Sequence, residues 1–552
     1  KSLGSGKHET TCPWLQEHTD SLDTGAAYFE PSEENPIGGF CCQHSHRDKY
    51  HIKELLKFLD IRLSNLTHQK PLIRVMDGEL DSIIDAAEKI LAKNEMHYQS
   101  GGLIVSVAID PMTGDPTINP ISVQALTRKL SAAIGWVRYE GHSKDWVRCD
   151  PPQRHIAILY NSQSFRHFPV LKGVVRQPYF RESDGELVTQ PGYDSTSKLF
   201  GVFDPRKFDI PEPTLEAARS ALSLLEDLIA EFHFVSEADR SAVMSAIFTA
   251  VVRSTLKYAP GFHVMAPVSG SGKTYLCELI GAFAGPGENA KVSYPTTSEE
   301  ATKTILSLLL TNTAVIEFDD MDTDWIPHGT IKRMLTAEYI TDRILGVSKT
   351  ATVSTRSLFL GSGNNVGPVR DLLRRVLTIN VDPRCTTPTT IAYKGLPVDK
   401  VRKCRGKYVS AVLMIISAWR KAGMPRSNIE SIATFGGAWA DYCRHPLIWL
   451  GHPDPATNLL KQIKHDPDSD LLKDLMSEWN HVFSSKPITV RKVVEYTKNN
   501  GKNLLDAIRE LPVLDRGEIN PSKFGWFLKK NANRIIGNYK FQESTADGRK
   551  AW

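Results

Sequence analysis

Ala266-Pro-Val-Ser-Gly-Ser-Gly-Lys-Thr274 constrains this chain more than any other stretch. The run is close to GxxxxGK[ST], a loop whose backbone N–H groups surround phosphate. Lys273 then reaches the β/γ-phosphates and the Thr274 hydroxyl sits on Mg²⁺. Such a loop works only between a strand and a helix. Phe262-His-Val-Met265 supplies an apolar strand, and Tyr275-Leu-Cys-Glu-Leu-Ile-Gly-Ala-Phe283 supplies the helix. Pro267 replaces the first glycine of the pattern, at a position that shapes the turn without touching phosphate. Ser269, Gly270, Ser271, Gly272, Lys273 and Thr274 are the expected nucleotide ligands.

Downstream, Thr313-Ala-Val-Ile-Glu-Phe-Asp-Asp320 is an apolar strand ending in two carboxylates. It is expected beside the first strand in a parallel sheet, with its acids at the C-terminal edge, where such sheets bind ligands. Asp319 is expected to hold Mg²⁺ through water and Asp320 to polarise an attacking water, and the two roles could be exchanged. Glu317, inside the strand, reads as structural. Leu358-Phe-Leu360 is a third strand ending near Asn364, whose amide can sense the γ-phosphate or the lytic water. Asp371-Leu-Leu-Arg-Arg375 follows as a short helix. Arg374 is the candidate for a finger acting in trans, with Arg375 pairing elsewhere or sharing the role. An ion pair with Asp371 is the plainer alternative. Two β-rich runs around Ser348-Lys-Thr350 read as a hairpin that can aim Lys349 at a nucleic-acid backbone, with Lys332 and Arg333 as weaker candidates.

Together, Pro-Val-Ser-Gly-Ser-Gly-Lys-Thr, Glu-Phe-Asp-Asp, Gly-Asn-Asn and Asp-Leu-Leu-Arg-Arg resemble the A, B, C and finger motifs of superfamily 3 helicases. The type is that of phage, plasmid and poxvirus primase-helicases. The resemblance covers roughly residues 210–385. It implies an AAA+ core, ATP and Mg²⁺ as cofactors, a homo-hexameric ring on single-stranded or forked DNA, and duplex unwinding. It also implies a bacterial-host cytoplasm, a phage or other mobile genetic element as source, and possible contacts with replication proteins. Asp320 stands where many relatives carry Asn. No primase carboxylate set is recognisable, and Asp77-x-Glu79 reads better as a helix start, where acids suit the dipole. A P-loop ATPase that sits on DNA as initiator or defence scaffold, without unwinding, is the competing function.

The rest of the 552 residues has room for several domains. The expected fold is multidomain α/β: an AAA+ P-loop core, an N-terminal zinc-binding and mixed α/β region, and a C-terminal winged helix. The expected boundaries are a zinc element at 1–60, a primase-associated mixed α/β domain at 61–210 and a helical collar at 211–260. The core at 261–385, a helical lid at 386–480 and the winged helix at 481–552 follow. Core packing is the simpler reading of the collar helices.

Cys12 and His18, then Cys42 and His46, are two ligand pairs that fit tetrahedral Zn²⁺, with His44 and Cys41 as substitutes for His46. So short a segment has too few apolar residues for a core of its own. The eight cysteines are scattered, which suits a reducing compartment. No apolar run reaches 18 residues, so no membrane span is expected. The opening Lys1-Ser-Leu-Gly-Ser-Gly, with neither initiator Met nor signal pattern, points to a tag scar or an excised upstream segment.

Net charge is only +4, but residues 486–552 hold fourteen Lys and Arg against seven Asp and Glu. Three short helices there, with Tyr539-Lys-Phe541 as a wing strand, would set Lys523, Lys529, Lys530 and Arg534 against DNA phosphates.

Overall fold

A computed structural model describes the whole chain except residues 1, 5, 19–21, 24, 32–37, 45, 46, 60–69, 94, 95, 345–349, 392, 465, 466 and 500. His46 and Lys349 therefore lie outside the described residues. The chain divides into one unit of residues 1–95 and 121–168, and a second of 96–120 and 169–552.

In the first unit, β1 (Ser2–Gly4), β2 (Lys7–Glu9), β3 (Ala26–Phe29) and β4 (Gly39–Cys42) form an antiparallel sheet in chain order. Among the described residues its core is Cys12, Ala26, Phe40 and Cys42, with Trp14, Ile52 and Leu55 packed against it. Ile52 and Leu55 come from α1 (Ile52–Phe58), which starts with a reciprocal cap between His51 and Glu54. β5 (Leu72–Val75) leads through an exposed turn into α2 (Leu80–Ala92). Glu79 stands at the N-cap of α2 and accepts a hydrogen bond from Ser82 Oγ at 2.7 Å.

The strands β6 (His97–Ser100), β7 (Leu103–Ile109) and β8 (Pro116–Pro120) belong to the second unit. The chain then returns as α3 (Val123–Ala133), β9 (Gly135–Glu140), β10 (Asp145–Arg148) and α4 (Gln153–Asn161). β9 pairs in parallel with β5 and antiparallel with β10. The apolar run Ile156–Tyr160 thus lies in a helix.

The second unit enters through short strands β11 (Gly173–Val175), β12 (Tyr179–Phe180), β13 (Leu187–Val188), β14 (Gly192–Asp194) and β15 (Leu199–Gly201). Next come α5 (Leu215–Glu226) and α6 (Glu237–Val252). Thirteen of the sixteen α6 residues are buried, so it is a core helix with no free face. Its one buried acid, Asp239, accepts from Asn380 N, Asn380 Nδ2 and Asn458 Nδ2 at 2.6–2.8 Å.

The centre of the unit is a five-stranded sheet built from β16 (Gly261–Ala266), β17 (Ala290–Val292), β18 (Val315–Met321), β21 (Leu358–Asn364) and β22 (Val376–Asn380). Their order is β17-β18-β21-β16-β22 and every pair is parallel. Strands buried on both faces read as near-continuous apolar runs, as residues 264–266 of β16 and 358–360 of β21 do. β18 does not lie beside β16 as the sequence led us to expect; β21 is inserted between them. Strand order in a parallel sheet follows from long crossovers, which motif order along the chain does not encode. The crossovers are α7 (Lys273–Gly281), α8 (Ser298–Leu310) and α9 (Gly329–Thr336). The expected hairpin is present as β19 (Tyr339–Arg343) paired antiparallel with β20 (Thr350–Ser354). Asp371–Arg375 is not a helix: a 3-10 turn at Arg370–Leu372 drops directly into β22, leaving too few residues for a full helical turn.

Helices α10 (Pro397–Lys403), α11 (Arg405–Lys421), α12 (Ala438–Cys443), α13 (His445–Trp449) and α14 (Thr457–Lys464) pack on α5, α6, α7 and β22. A separate apolar cluster joins α15 (Pro467–Phe483), α16 (Val490–Asn499), α17 (Lys502–Arg509) and α18 (Pro521–Lys530) around Trp479, Val493, Leu504, Phe524 and Leu528. Two hairpins accompany them, β23 (Leu514–Asp515) with β24 (Glu518–Ile519), and β25 (Ser544–Ala546) with β26 (Arg549–Ala551). Tyr539–Phe541 is not a strand; Phe541 fills the core instead. The hairpin β25–β26 lies downstream, turned by Asp547 (φ 53°) and Gly548 (φ 68°), the pair of left-handed residues that a type I′ turn requires.

Candidate nucleotide site and metal cluster

β16 delivers the chain to the sheet's C-terminal edge, where Gly270 (φ 75°) and Gly272 (φ 81°) take the left-handed conformation. A Cβ at Gly270 would stand 2.4 Å from Thr389 Cγ2, so only glycine fits beneath that residue. Ser271 donates from Oγ to Val268 O at 2.6 Å and closes the loop on itself. α7 begins at Lys273, with its first N–H groups aimed into the loop.

Because the sheet is parallel, β18 and β21 end at that same edge. Lys273 Nζ donates to Asn364 Oδ1 at 2.6 Å. Thr274 Oγ1 donates to Asp319 Oδ1 at 3.0 Å. The structure thereby brings Lys273, Thr274, Asp319 and Asn364 together from three separate elements. Lys273 is buried, which lowers its pKa, while the charges of Asp320 and Asp319 oppose the shift.

Sequence reasoning missed Ser362. Its Oγ donates to Asp319 Oδ1 at 2.9 Å and accepts from Asp320 N at 3.1 Å. Ser362 and Asn364 are two apart on β21 and so share a face, a period-2 signal that could have found it. Lys291 on β17 was also missed; its Nζ lies 3.8 Å from Asp319 Oδ2 and 2.7 Å from Glu278 Oε1.

Asp320 leaves the regular strand with φ 47°, where the β18–β21 register shifts between Phe318 and Met321. Asp and Asn tolerate that conformation better than most residues. Glu317 is fully buried; Asn289 Nδ2 donates to its Oε2 at 2.7 Å, and its Oε1 has no partner among the described residues. Burial raises its pKa to about 7, helped by Asp319 and opposed by Asn289.

His263 ties β16 to the segment that follows β21. Trp325 Nε1 donates to His263 Nδ1 at 3.0 Å, so the proton lies on Nε2, which donates to Val366 O at 2.6 Å. Burial lowers its pKa to about 4, keeping it neutral.

Both finger candidates bind Asp371. Arg374 donates to Oδ1 through Nε at 2.9 Å and Nη2 at 2.6 Å, while Arg375 Nη1 donates to Oδ2. Burial works against the Asp371 charge, yet the two guanidinium groups hold its pKa below the ordinary value. Half of the Arg374 side chain is exposed against 12% for Arg375, so only Arg374 is accessible from outside.

In the first unit, Cys12, His18 and Cys42 are all buried and offer ligand atoms within 4.8 Å of one another. This is the only such group of three or more among the described residues. His18 Nδ1 donates to Leu22 O at 2.8 Å, which leaves Nε2 facing Cys42 Sγ at 3.5 Å. His44 Nδ1 lies 3.3 Å from the same sulfur, and its ring stacks on that of His18 at 3.8 Å. Burial beside Cys42 pushes the Cys12 thiol up to about 11, an environment that suits a thiolate only when a cation is bound.

Lys523 and Lys530 line a cleft with Trp526 and Arg534, and Lys529 does not.

No family model matches the chain. No curated protein matches it either. Among solved structures, the apo C-terminal region of NrS-1 is similar over 73% of this chain and 82% of its own, at 11% identity and a TM-score of 0.30. The active helicase Cch of SCCmec type IV is similar over 77% of this chain and 92% of its own, at 12% identity and a TM-score of 0.28. At scores this low the function has to be read from the site's own residues.

Proposed function

We propose that the chain is an ATP-dependent DNA helicase of the superfamily 3, primase-helicase type, of a phage or mobile element. It works as a ring on single-stranded DNA to unwind duplex. The observation that carries this reading is the pair of hydrogen bonds Lys273–Asn364 and Thr274–Asp319, which joins loop, acid strand and sensor strand at one sheet edge. ATP is the substrate that such an edge accommodates. Thr274 and Asp319 would hold Mg²⁺, which supplies charge neutralisation for phosphoryl transfer. In this reading Asp320 would orient water, Asn364 would report the γ-phosphate, and Arg374 would reach a neighbouring subunit's nucleotide. Cys12, His18 and Cys42 would hold Zn²⁺, with His46 as the fourth ligand and His44 or Cys41 as alternatives.

The test is strand displacement on forked DNA alongside DNA-stimulated ATP hydrolysis. Wild type should displace a strand only with ATP, and Lys273→Ala should lose both activities. Lys349→Ala should keep basal hydrolysis and lose displacement. Stimulated hydrolysis with no displacement by wild type would instead make the chain a DNA-bound scaffold ATPase.

A further inference from the structure

Between the Arg370–Arg374 segment and α18 lies a cleft of about 920 Å³ that the nucleotide site does not use. Lys523, Trp526 and Lys530 fall three and four residues apart on α18, so they share one face of the helix. All three line the cleft. Trp526 is 65% exposed, an unusual position for so large an apolar ring. Lys530 Nζ stands 5.7 Å from that ring's centroid. Lys523 Nζ donates to Leu514 O at 3.4 Å, a neutral acceptor that leaves its charge unbalanced. The acids of the opposite wall are already engaged: Asp371 by Arg374 and Arg375, and Asp468 by Arg370 at 3.4 Å. The positive charge left over therefore belongs to the α18 side of the cleft.

An exposed aromatic face flanked by lysines is the arrangement that holds unpaired nucleotides, since every base offers a π-face and every phosphate a charge. The walls decide between single and double strand. A space of this volume matches a small-molecule pocket and admits a few nucleotides, whereas a groove-reading helix must stand clear of its own protein. Here residues of the 370–374 segment and of the α18 face line the same space.

We propose that this cleft binds single-stranded DNA, with one unpaired base stacked on Trp526 and the adjoining phosphates at Lys523 and Lys530. The proposal rests on the helicase reading and assigns it a DNA contact whose opposite wall carries Arg374. Arg374 is thereby placed where DNA on one side and a neighbouring subunit on the other can both bear on it.

The test uses the full chain without ATP and a fluorescent 20-mer of thymidine, read by anisotropy. Trp526→Ala should weaken binding about tenfold or more, the usual loss for one stacked base, while Trp526→Phe keeps most of the affinity. Lys523→Glu with Lys530→Glu should lower the salt slope by roughly 1.4, at about 0.7 for each phosphate no longer neutralised. Lys529→Glu, which lies off the cleft, should change affinity least. Circular dichroism melts check that each variant folds.

Wild-type affinity in Trp526→Ala overturns the proposal. If its hydrolysis is then still stimulated by DNA as in wild type, the helicase reading stands and only the cleft assignment fails. A wild-type chain that neither binds the oligonucleotide nor responds to it removes both. Unchanged DNA binding with an altered assembly size in Trp526→Ala would make the cleft a contact between copies of this chain, which also overturns it.

Discussion

Asp320 shows what a single residue's backbone contributes to the site. Its φ of 47° costs a non-glycine residue on the order of 1–3 kcal/mol, and a fixed register around it is needed to hold it. Asn and Asp bear that cost best, which gives a physical reason for the Asp/Asn alternation expected at this position. Asp320→Asn should therefore melt as wild type does. If the carboxylate acts on water, the same variant should lose about 10²-fold or more in ATP turnover. A melt unchanged with turnover also unchanged would return the role to Asp319.

Glu317 makes a different prediction, because its pKa is raised by burial from 4.5 to about 7. Between those values the folded protein binds a proton that the unfolded chain has released. Stability thus falls as pH rises from about 4.5 to 7 and is level above that. Glu317→Gln should remove the slope, gaining roughly 2–4 kcal/mol relative to wild type at pH 8 and little at pH 5. Thermal melts across that range check the sign. The strand position of Glu317 was legible from the apolar residues around it. Its partner Asn289 was not, since it lies 28 positions away with no motif to mark it.

At the scale of elements, legibility followed how local the determining signal was. The P-loop, its strand and its helix were readable because glycine spacing and apolar period act over a few residues. The β19–β20 hairpin and most C-terminal helices were readable for the same reason. The place of β21 was not, because a crossover's landing point depends on packing across nearly a hundred residues. A strand was expected at Tyr539–Phe541 because aromatic β-formers outweighed a short polar run. Yet Asp547-Gly548 carried the correct hairpin signal, as Arg516-Gly517 (φ 50° and 83°) does for β23–β24.

The β1–β4 sheet carries the prediction that belongs to this scale. Four buried core residues among those described are few for such a sheet, so under the zinc proposal a metal at Cys12, His18 and Cys42 would supply much of its stability. Purified protein should contain about one zinc per chain. Chelation or Cys42→Ser should expose the first unit to limited proteolysis while the P-loop unit stays resistant. Less than about half an equivalent of zinc counts against the site. His44→Ala lowering metal content more than His46→Ala would settle the fourth ligand.

For the whole molecule, the helicase proposal asks one chain to complete its neighbour's nucleotide site. Lys273, Thr274, Asp319 and Asn364 converge at one sheet edge, whereas Arg374 lies on the turn before β22 and is bound to Asp371. A guanidinium that is half exposed and held by one carboxylate can be passed to a stronger anion, and a neighbour's γ-phosphate is one. Arg375, with its side chain 12% exposed, has no such freedom. If sites are shared between subunits, Lys273→Ala and Arg374→Ala chains should each be inactive as pure assemblies and complement one another when mixed. In an equal random mixture, about one interface in four pairs an intact loop with an intact arginine, so ATP turnover should recover to roughly a quarter of wild type in a closed ring. Recovery requires exchange of subunits, which light scattering and a fluorescent label on one variant can follow. Arg375→Ala in place of Arg374→Ala should lower stability, since it strips a buried partner from Asp371, and should not give the same complementation. A mixture that exchanges subunits yet stays inactive would place the finger elsewhere. A mixture in which Arg374→Ala alone retains full turnover would make its bond to Asp371 a surface ion pair and nothing more.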